Sequence, residues 1–170
     1  MRISALLPAG LALALAATVG ACGFRPMYMQ SANGGPAIGP VIVDRIDGKA
    51  GYVLKSELEK MFDIERGTGP VRRLQITLSE SVAGLGFRVD ESASRSDLYL
   101  DARYTLFDID GKAVVTSNIR TVASYDVPTS AYGEIAAQDD ARERASETMA
   151  ERIRADLIVR LAYTKAGGAP

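Results

Sequence analysis

The 170-residue sequence has no histidine and no tryptophan, and its one cysteine is Cys22. Without histidine there can be no Ser-His-Asp triad and no Cys-His nucleophile pair. The usual His/Cys ligand set for zinc is missing for the same reason. One cysteine cannot build a disulfide framework. Neither sign of charge is in excess, with 20 Lys and Arg against 21 Asp and Glu. A near-neutral chain has no long-range field to gather nucleic acid or an anionic membrane. No nucleic-acid partner is therefore expected, and any anion recognition must be local. Hydrophobic residues make up 47% and charged residues 24%. That balance excludes a chain disordered throughout and a multi-span membrane protein. The length suits one domain with one core.

The N-terminus carries the sharpest local signal. Arg2 is followed by an uncharged apolar stretch, Ala5 to Val19, and then by Val19-Gly20-Ala21-Cys22. A basic start, an apolar centre and small residues at the cut are the order of an export signal. An uncleaved span would need about 20 apolar residues, and Pro8 and Gly10 interrupt this run. The Val-Gly-Ala-Cys ending resembles a bacterial lipobox, with Gly20 a departure from the usual Ala, Ser or Thr. The resemblance implies cleavage after Ala21, a diacylglyceryl thioether on Cys22 and acylation of its new amino group. One acyl chain holds a protein only marginally, whereas two or more hold it firmly. Gly23 stands where Asp commonly retains such proteins in the inner membrane, so the resemblance points to the outer membrane with the body in the periplasm.

Residues 1–21 are thus expected to be a signal peptide and residues 22–40 a tether. Ser31, Asn33, Gly34, Gly35, Pro36, Gly39 and Pro40 favour open chain there. Residues 41–165 are expected to form one α/β domain and residues 166–170 a frayed tail. Val41-Ile42-Val43 with Ile46 predicts a first strand, and Asp47–Gly51 a turn. Leu54, Leu58, Met61 and Phe62 at helical spacing predict an amphipathic helix over about 52–64. Alternating Leu74, Ile76 and Leu78 predict a second strand. A third covers Leu98 to Phe107, and a fourth Ala113 to Tyr125. Asp110-Gly111 between them is a two-residue hairpin signal. Ala141, Ala145, Met149, Ile153, Leu157 and Leu161 form the apolar stripe of a long helix over about 135–163. The order β-α-β-β-β-α predicts a two-layer α/β sandwich, with one four-stranded mixed sheet against two helices. The same connectivity puts Asp47–Gly51, Ser79–Ser96 and Asp126–Gly133 at one end and Asp110-Gly111 at the other.

Cys22-Gly23-Phe24-Arg25-Pro26-Met27-Tyr28, the order of elements, the Arg95…Tyr99 to Arg103-Tyr104 run and the long C-terminal helix resemble the LptE family of lipopolysaccharide-assembly lipoproteins. The resemblance spans nearly the whole mature chain. It is specific at the lipidated segment and diffuse elsewhere. It implies a plug in the lumen of the outer-membrane β-barrel LptD that assists barrel assembly and delivery of lipopolysaccharide to the outer leaflet. Lipopolysaccharide is then a ligand, no enzymatic activity is expected, and no cofactor beyond the acyl chains on Cys22. The main alternative is another periplasmic lipid-carrier or envelope-scaffold lipoprotein, which should expose an apolar groove.

The resemblance places Arg88 near a basic residue that the family uses against lipopolysaccharide. Arginine can meet a phosphate with two parallel hydrogen bonds. A second basic position expected near the start of the long helix is Gln138 here, which shifts that role to Arg95 or Lys49 at the same end. The bland alternative for Arg88 is a solvated arginine at a loop edge. Gly84-Leu85-Gly86 lacks a third glycine and a following helix, so it reads as a turn or bulge and not a dinucleotide fingerprint. Asp108 and Asp110 are expected in the hairpin turn, and Asp139 and Asp140 as helix N-terminal charge. Neither pair has the oxygen spacing of a cation loop. Phe24, Met27 and Tyr28 could pack at the membrane interface or on a partner wall.

Overall fold

The computed structural model describes residues 38–62, 70–87 and 93–165. The expectations for the signal segment, Cys22, Phe24, Met27, Tyr28, Arg88 and the tail beyond Lys165 lie outside them. Elements follow in the order β1 (Val41–Val43), α1 (Lys49–Phe62), β2 (Arg72–Phe87), β3 (Ala93–Phe107), β4 (Ala113–Asp126) and α2 (Ala131–Lys165). The strands form one sheet in sequence order. β1 runs parallel to β2, and the remaining pairs are antiparallel. Both helices contact each other, with α1 also against β1 and α2 against β3 and β4. The expected mixed sheet with two helices is the observed architecture.

Lengths decide what is covered. At 1.5 Å per residue α2 spans about 52 Å, and at 3.3 Å per residue β3 spans about 50 Å. One helix therefore runs the length of the sheet. α1 spans only about 21 Å, and β1 about 10 Å. β2 stays paired with β3 to Phe87 but outruns β1 beyond Leu74, and Ser79 to Leu85 are all exposed.

The core face carries Leu74, Ile76, Leu98, Leu100, Tyr104 and Leu106 from the sheet. Against them lies the expected stripe Ala141, Ala145, Met149, Ile153, Leu157 and Leu161, every member buried. Each fully buried large aliphatic side chain contributes about 1.5–3 kcal/mol. Ser146 and Ala150 widen the stripe. The Ser146 hydroxyl donates to Arg142 O at 2.8 Å and lies 3.3 Å from Ala50 O, so this second line faces α1. Buried Thr121 donates to Ala145 O at 3.2 Å and ties β4 to the same helix.

Several boundaries differ from the sequence expectation, each for a physical reason. α1 begins at Lys49, so Gly51 lies in its first turn instead of in a loop. A Cβ there would sit 2.7 Å from Ile46 Cγ2, so glycine serves close approach and not chain reversal. α2 starts at Ala131, where the Ser130 hydroxyl accepts the Gly133 N–H at 3.1 Å as an N-cap. Ile38 and Pro40, expected in the tether, are buried. The β3–β4 connection is longer than two residues. It runs from Asp108 to Lys112, with the Asp108 carboxylate accepting the N–H groups of Asp110 and Lys112 and Gly111 at φ 75°.

Tyr104, on the core face of β3, donates its hydroxyl to Asp156 of α2, and Arg160 Nε donates to the same carboxylate at 2.6 Å. Burial opposes charge on Asp156, but the hydrogen bonds from Tyr104 and Arg160 outweigh it and hold the carboxyl below its ordinary value. Burial first, and then the bond to Asp156, pushes the Tyr104 phenol up.

Because the folded value is depressed, this stabilisation is present above the unfolded carboxylate range and is lost as pH falls through the folded value. Asp156→Asn is therefore expected to be less stable than wild type at neutral pH. The two urea midpoints should converge as pH drops below about 4; a gap independent of pH would show that charge on Asp156 contributes nothing. Gly51→Ala is expected to lose about 1–3 kcal/mol through overpacking against Ile46. Its thermal midpoint checks this, and an unchanged midpoint would mean that Ile46 moves aside freely.

Candidate functional site

The connectivity suggests that three chain connections share one end of the sheet, but the strand lengths separate them. β1 pairs only with Arg72–Leu74, so the β1–α1 link leaves the sheet partway along β2, whereas the β4–α2 link lies beyond Asp126, at the level of Arg95 and Gly86. The opposite end holds the β3–β4 loop and the entry of the domain at Ile38, whose carbonyl is held by the Arg72 guanidinium. The two ends differ in what they expose.

The candidate basic residues stand at two levels along the sheet, Lys49 near the middle of α2 and Arg95 at the far end of the β3 ladder. Lys49 opens α1 with a side chain 75% exposed, and its Nζ lies 3.6 Å from Asp139 Oδ1 on α2. Arg95 is exposed on β3, opposite Asp126 on β4 and Gly86 on β2. Gln138, half-buried on α2, precedes the aspartate that pairs with Lys49. Asp139 and Asp140 lie beyond the first two turns of α2, so they are not helix N-terminal charges. Asp139 is shared by Lys49 and Arg142, and Asp140 accepts from Arg144 at 2.9 Å.

Large apolar side chains stand exposed toward the Arg95 end, Val82 and Leu85 on β2 and Tyr132 and Ile135 on α2, and Tyr52 is exposed on α1. The local sequence explains the β2 part. The ladder shifts register between Gly84 and Gly86 and again at Phe87, so Gly84-Leu85-Gly86 is a bulge, one of the two readings anticipated. Val82 lies beyond the reach of α1, so its apolar surface has no cover from that helix. The end as a whole is amphipathic, with cationic groups among apolar and aromatic ones. Such a surface can contact a ligand that joins anionic and apolar parts.

A clamp behind this end went unnoticed in the sequence. Arg142, whose side chain is only 12% exposed, grips the Glu80 carboxylate with two hydrogen bonds, from Nε at 2.9 Å and from Nη2 at 2.7 Å. The bond to Glu80 leads the effects that raise the Arg142 pKa above its ordinary value, with burial opposing. The two residues are far apart in sequence, and nothing local in either segment announces the pair. The clamp fixes the protruding part of β2 to α2.

The sheet face away from the helices is polar. Arg73 stacks over the Phe107 ring at 4.9 Å, Arg120 Nε donates to Asp101 at 2.7 Å, and Ser124 donates to Asp97 at 2.5 Å. A shallow depression of about 440 Å³ lies on this face, with Thr77, Ser79, Asp101, Arg103 and Asn118 in its lining. Among the described residues there is no cluster of potential metal ligands and no helix long and apolar enough to cross a membrane.

Comparison with known proteins agrees with this architecture. A lipoprotein structure from Caulobacter crescentus CB15 is similar at 26% identity and a TM-score of 0.60, over 74% of this chain and 93% of that one. The minor lipoprotein from Acinetobacter baumannii shares the fold at 11% identity and a TM-score of 0.57, over 72% and 92% of the two chains. The rare lipoprotein B from Shewanella oneidensis does so at 12% identity and a TM-score of 0.52, over 75% and 96%. No curated protein matches the sequence. The family described as "LptE: Lipopolysaccharide-assembly" matches residues 24–157, which is most of the chain, and the protein belongs to that family.

Proposed function

We propose that this chain is an outer-membrane lipoprotein, triacylated on Cys22, that plugs the LptD β-barrel and assists its assembly and the passage of lipopolysaccharide to the outer leaflet. Family membership over residues 24–157 is the observation that carries the reading. The form of the domain supports it. A barrel lumen is polar and wet, and the uncovered sheet face has matching chemistry, with its charges largely paired within the protein. The amphipathic surface suits a glycolipid that presents phosphates beside acyl chains, with Arg95 and Lys49 as the described cations and Arg88 as the residue the family resemblance implies. The proposed role is binding and structural, with no catalytic step and no cofactor beyond the acyl chains.

The lipid-carrier alternative calls for an apolar groove. The depression on the sheet is lined mainly by polar side chains, and the apolar face of the sheet lies under the helices.

Mass spectrometry of the native protein is expected to find a diacylglyceryl thioether and an N-acyl group on residue 22. Mild detergent extraction should yield the chain together with a far larger β-barrel. An unlipidated N-terminus, or recovery of the chain alone, would overturn the placement. The double variant Lys49→Gln/Arg95→Gln is expected to fold normally and to capture up to about 5-fold less lipopolysaccharide per lost contact, the range for charge pairs at an accessible surface. Undiminished capture would remove both residues from the ligand site.

A further inference from the structure

The two edges of the sheet are treated differently, and the difference points to a partner. β4 forms one edge over its whole length. There Arg152 Nη1 donates to Arg120 O at 3.0 Å, and Arg144 Nη2 lies 3.4 Å from Ser124 O. Two arginines of α2 thus reach over and occupy edge carbonyls that another strand would need. Charged side chains on an edge are a common way to prevent unwanted strand pairing.

Among the described residues the other edge has no such guard. β1 pairs with β2 only from Arg72 to Leu74. The Arg72 N–H donates to Pro40 O at 3.0 Å, and Leu74 O accepts the Asp44 N–H at 2.9 Å. These bonds show that even-numbered residues of β2 turn their main-chain groups toward the β1 side. β2 continues to Phe87, so Ile76, Leu78, Glu80, Val82 and Gly84 present that side with no strand partner among the described residues. The stretch has no lysine, arginine or proline. Its one charge, Glu80, is held by Arg142 of α2.

We propose that the free edge of β2, from Ile76 to Gly84, is a strand-addition site for an extended segment of the barrel partner inferred above. The chemistry selects a polypeptide backbone, because a row of alternating N–H and C=O groups is matched by another strand. Side chains set its pattern: apolar positions on the helix side to meet Leu78 and Val82, with a basic residue or a hydroxyl beside Glu80. A second copy of this chain fits less well. The antiparallel register that uses the whole edge pairs Ile76 with Gly84, Leu78 with Val82, and Glu80 with its own copy. Like charges directly opposite each other in a ladder are unfavourable.

The proposal rests on the barrel reading, and its test separates the two. Val82→Pro deletes an N–H that faces the free edge and leaves the ladder to β3 intact, a position where strands tolerate proline. Ala83→Pro deletes an N–H on the β3 side and serves as the control for damage to the fold. The full lipidated chain is co-expressed with the barrel and extracted in mild detergent. Val82→Pro is expected to keep the wild-type thermal midpoint as an isolated protein and to retain at least 10-fold less barrel, whereas Ala83→Pro lowers the midpoint. In the wild-type complex, hydrogen exchange at the Leu78, Glu80 and Val82 amides should slow at least 10-fold relative to the isolated chain. Wild-type exchange that stays fast within an intact complex overturns strand addition and leaves the barrel reading standing. Failure of the wild-type chain to retain any barrel overturns the barrel reading itself. Protection that appears in a dimer of the isolated chain assigns the edge to a second copy and overturns the proposal. Should Val82→Pro prove unstable, the exchange measurement decides alone.

Discussion

A single helix laid along the sheet is the constraint on which the rest of this structure depends. α2 is as long as β3, and its buried side is built largely from small residues: Ala141, Ala145, Ser146 and Ala150. Small side chains let the helix approach both the sheet and α1, so that Thr121 and Ser146 reach main-chain carbonyls across those contacts. At the other end of α2 the side chains grow to Ile153, Leu157 and Leu161. There the approach is fixed by the hydrogen bonds that Tyr104 and Arg160 give Asp156. With α2 in place, α1 packs against it and against β1. Because β1 pairs with only three residues of β2, the rest of that strand's outer edge is left exposed.

That exposed length is held, not loose. The Glu80–Arg142 clamp joins β2 to α2 at the place where α1 no longer covers it. An exposed ion pair is commonly worth less than about 1 kcal/mol, but a bidentate pair with a mostly buried arginine is among the better geometries. The clamp sets the protruding strand in a defined position beside the amphipathic end. Presentation of a free edge and of apolar side chains in water carries an aggregation risk. The bulge at Gly84–Gly86, which increases local twist, limits how far another strand can run along it.

How much of this could be read from the chain follows the range of the interactions. Periodicity revealed α1, the α2 stripe and the inner parts of β2, β3 and β4, because burial of one face writes a period of 3.6 or 2 into the residues. It missed β2 beyond Ser79, where exposure on both faces removes the alternation. Gly51 suggested a turn because glycine marks chain reversal more often than close approach; only the distance to Ile46 separates the two. Asp139 and Asp140 resembled first-turn charges because the start of α2 was set four residues too late. Ser130 is the cap that would have corrected this. Of the candidate site, Lys49 and Arg95 were named by residue type, and the end they were expected to share is divided because β1 is too short to carry α1 to the far end of β2. The Asp139 partner of Lys49 and the Glu80 clamp depend on tertiary placement and leave no local trace.

The polarity of the domain connects these features to the proposed role. The described body starts at Ile38, beside Arg72 and at the end opposite Arg95. From Cys22 to Ile38 the chain can extend at most about 55 Å, close to the length of the body itself. In the proposed role, lipid on Cys22 keeps the domain within that distance of its membrane, and the polar sheet face is the surface that suits the polar wall of a lumen. The near-neutral charge bears on the same role. Arg142 and Arg144 are matched to carboxylates, so anion recognition in the proposed role falls to exposed cations such as Lys49 and Arg95 acting locally, without a long-range field.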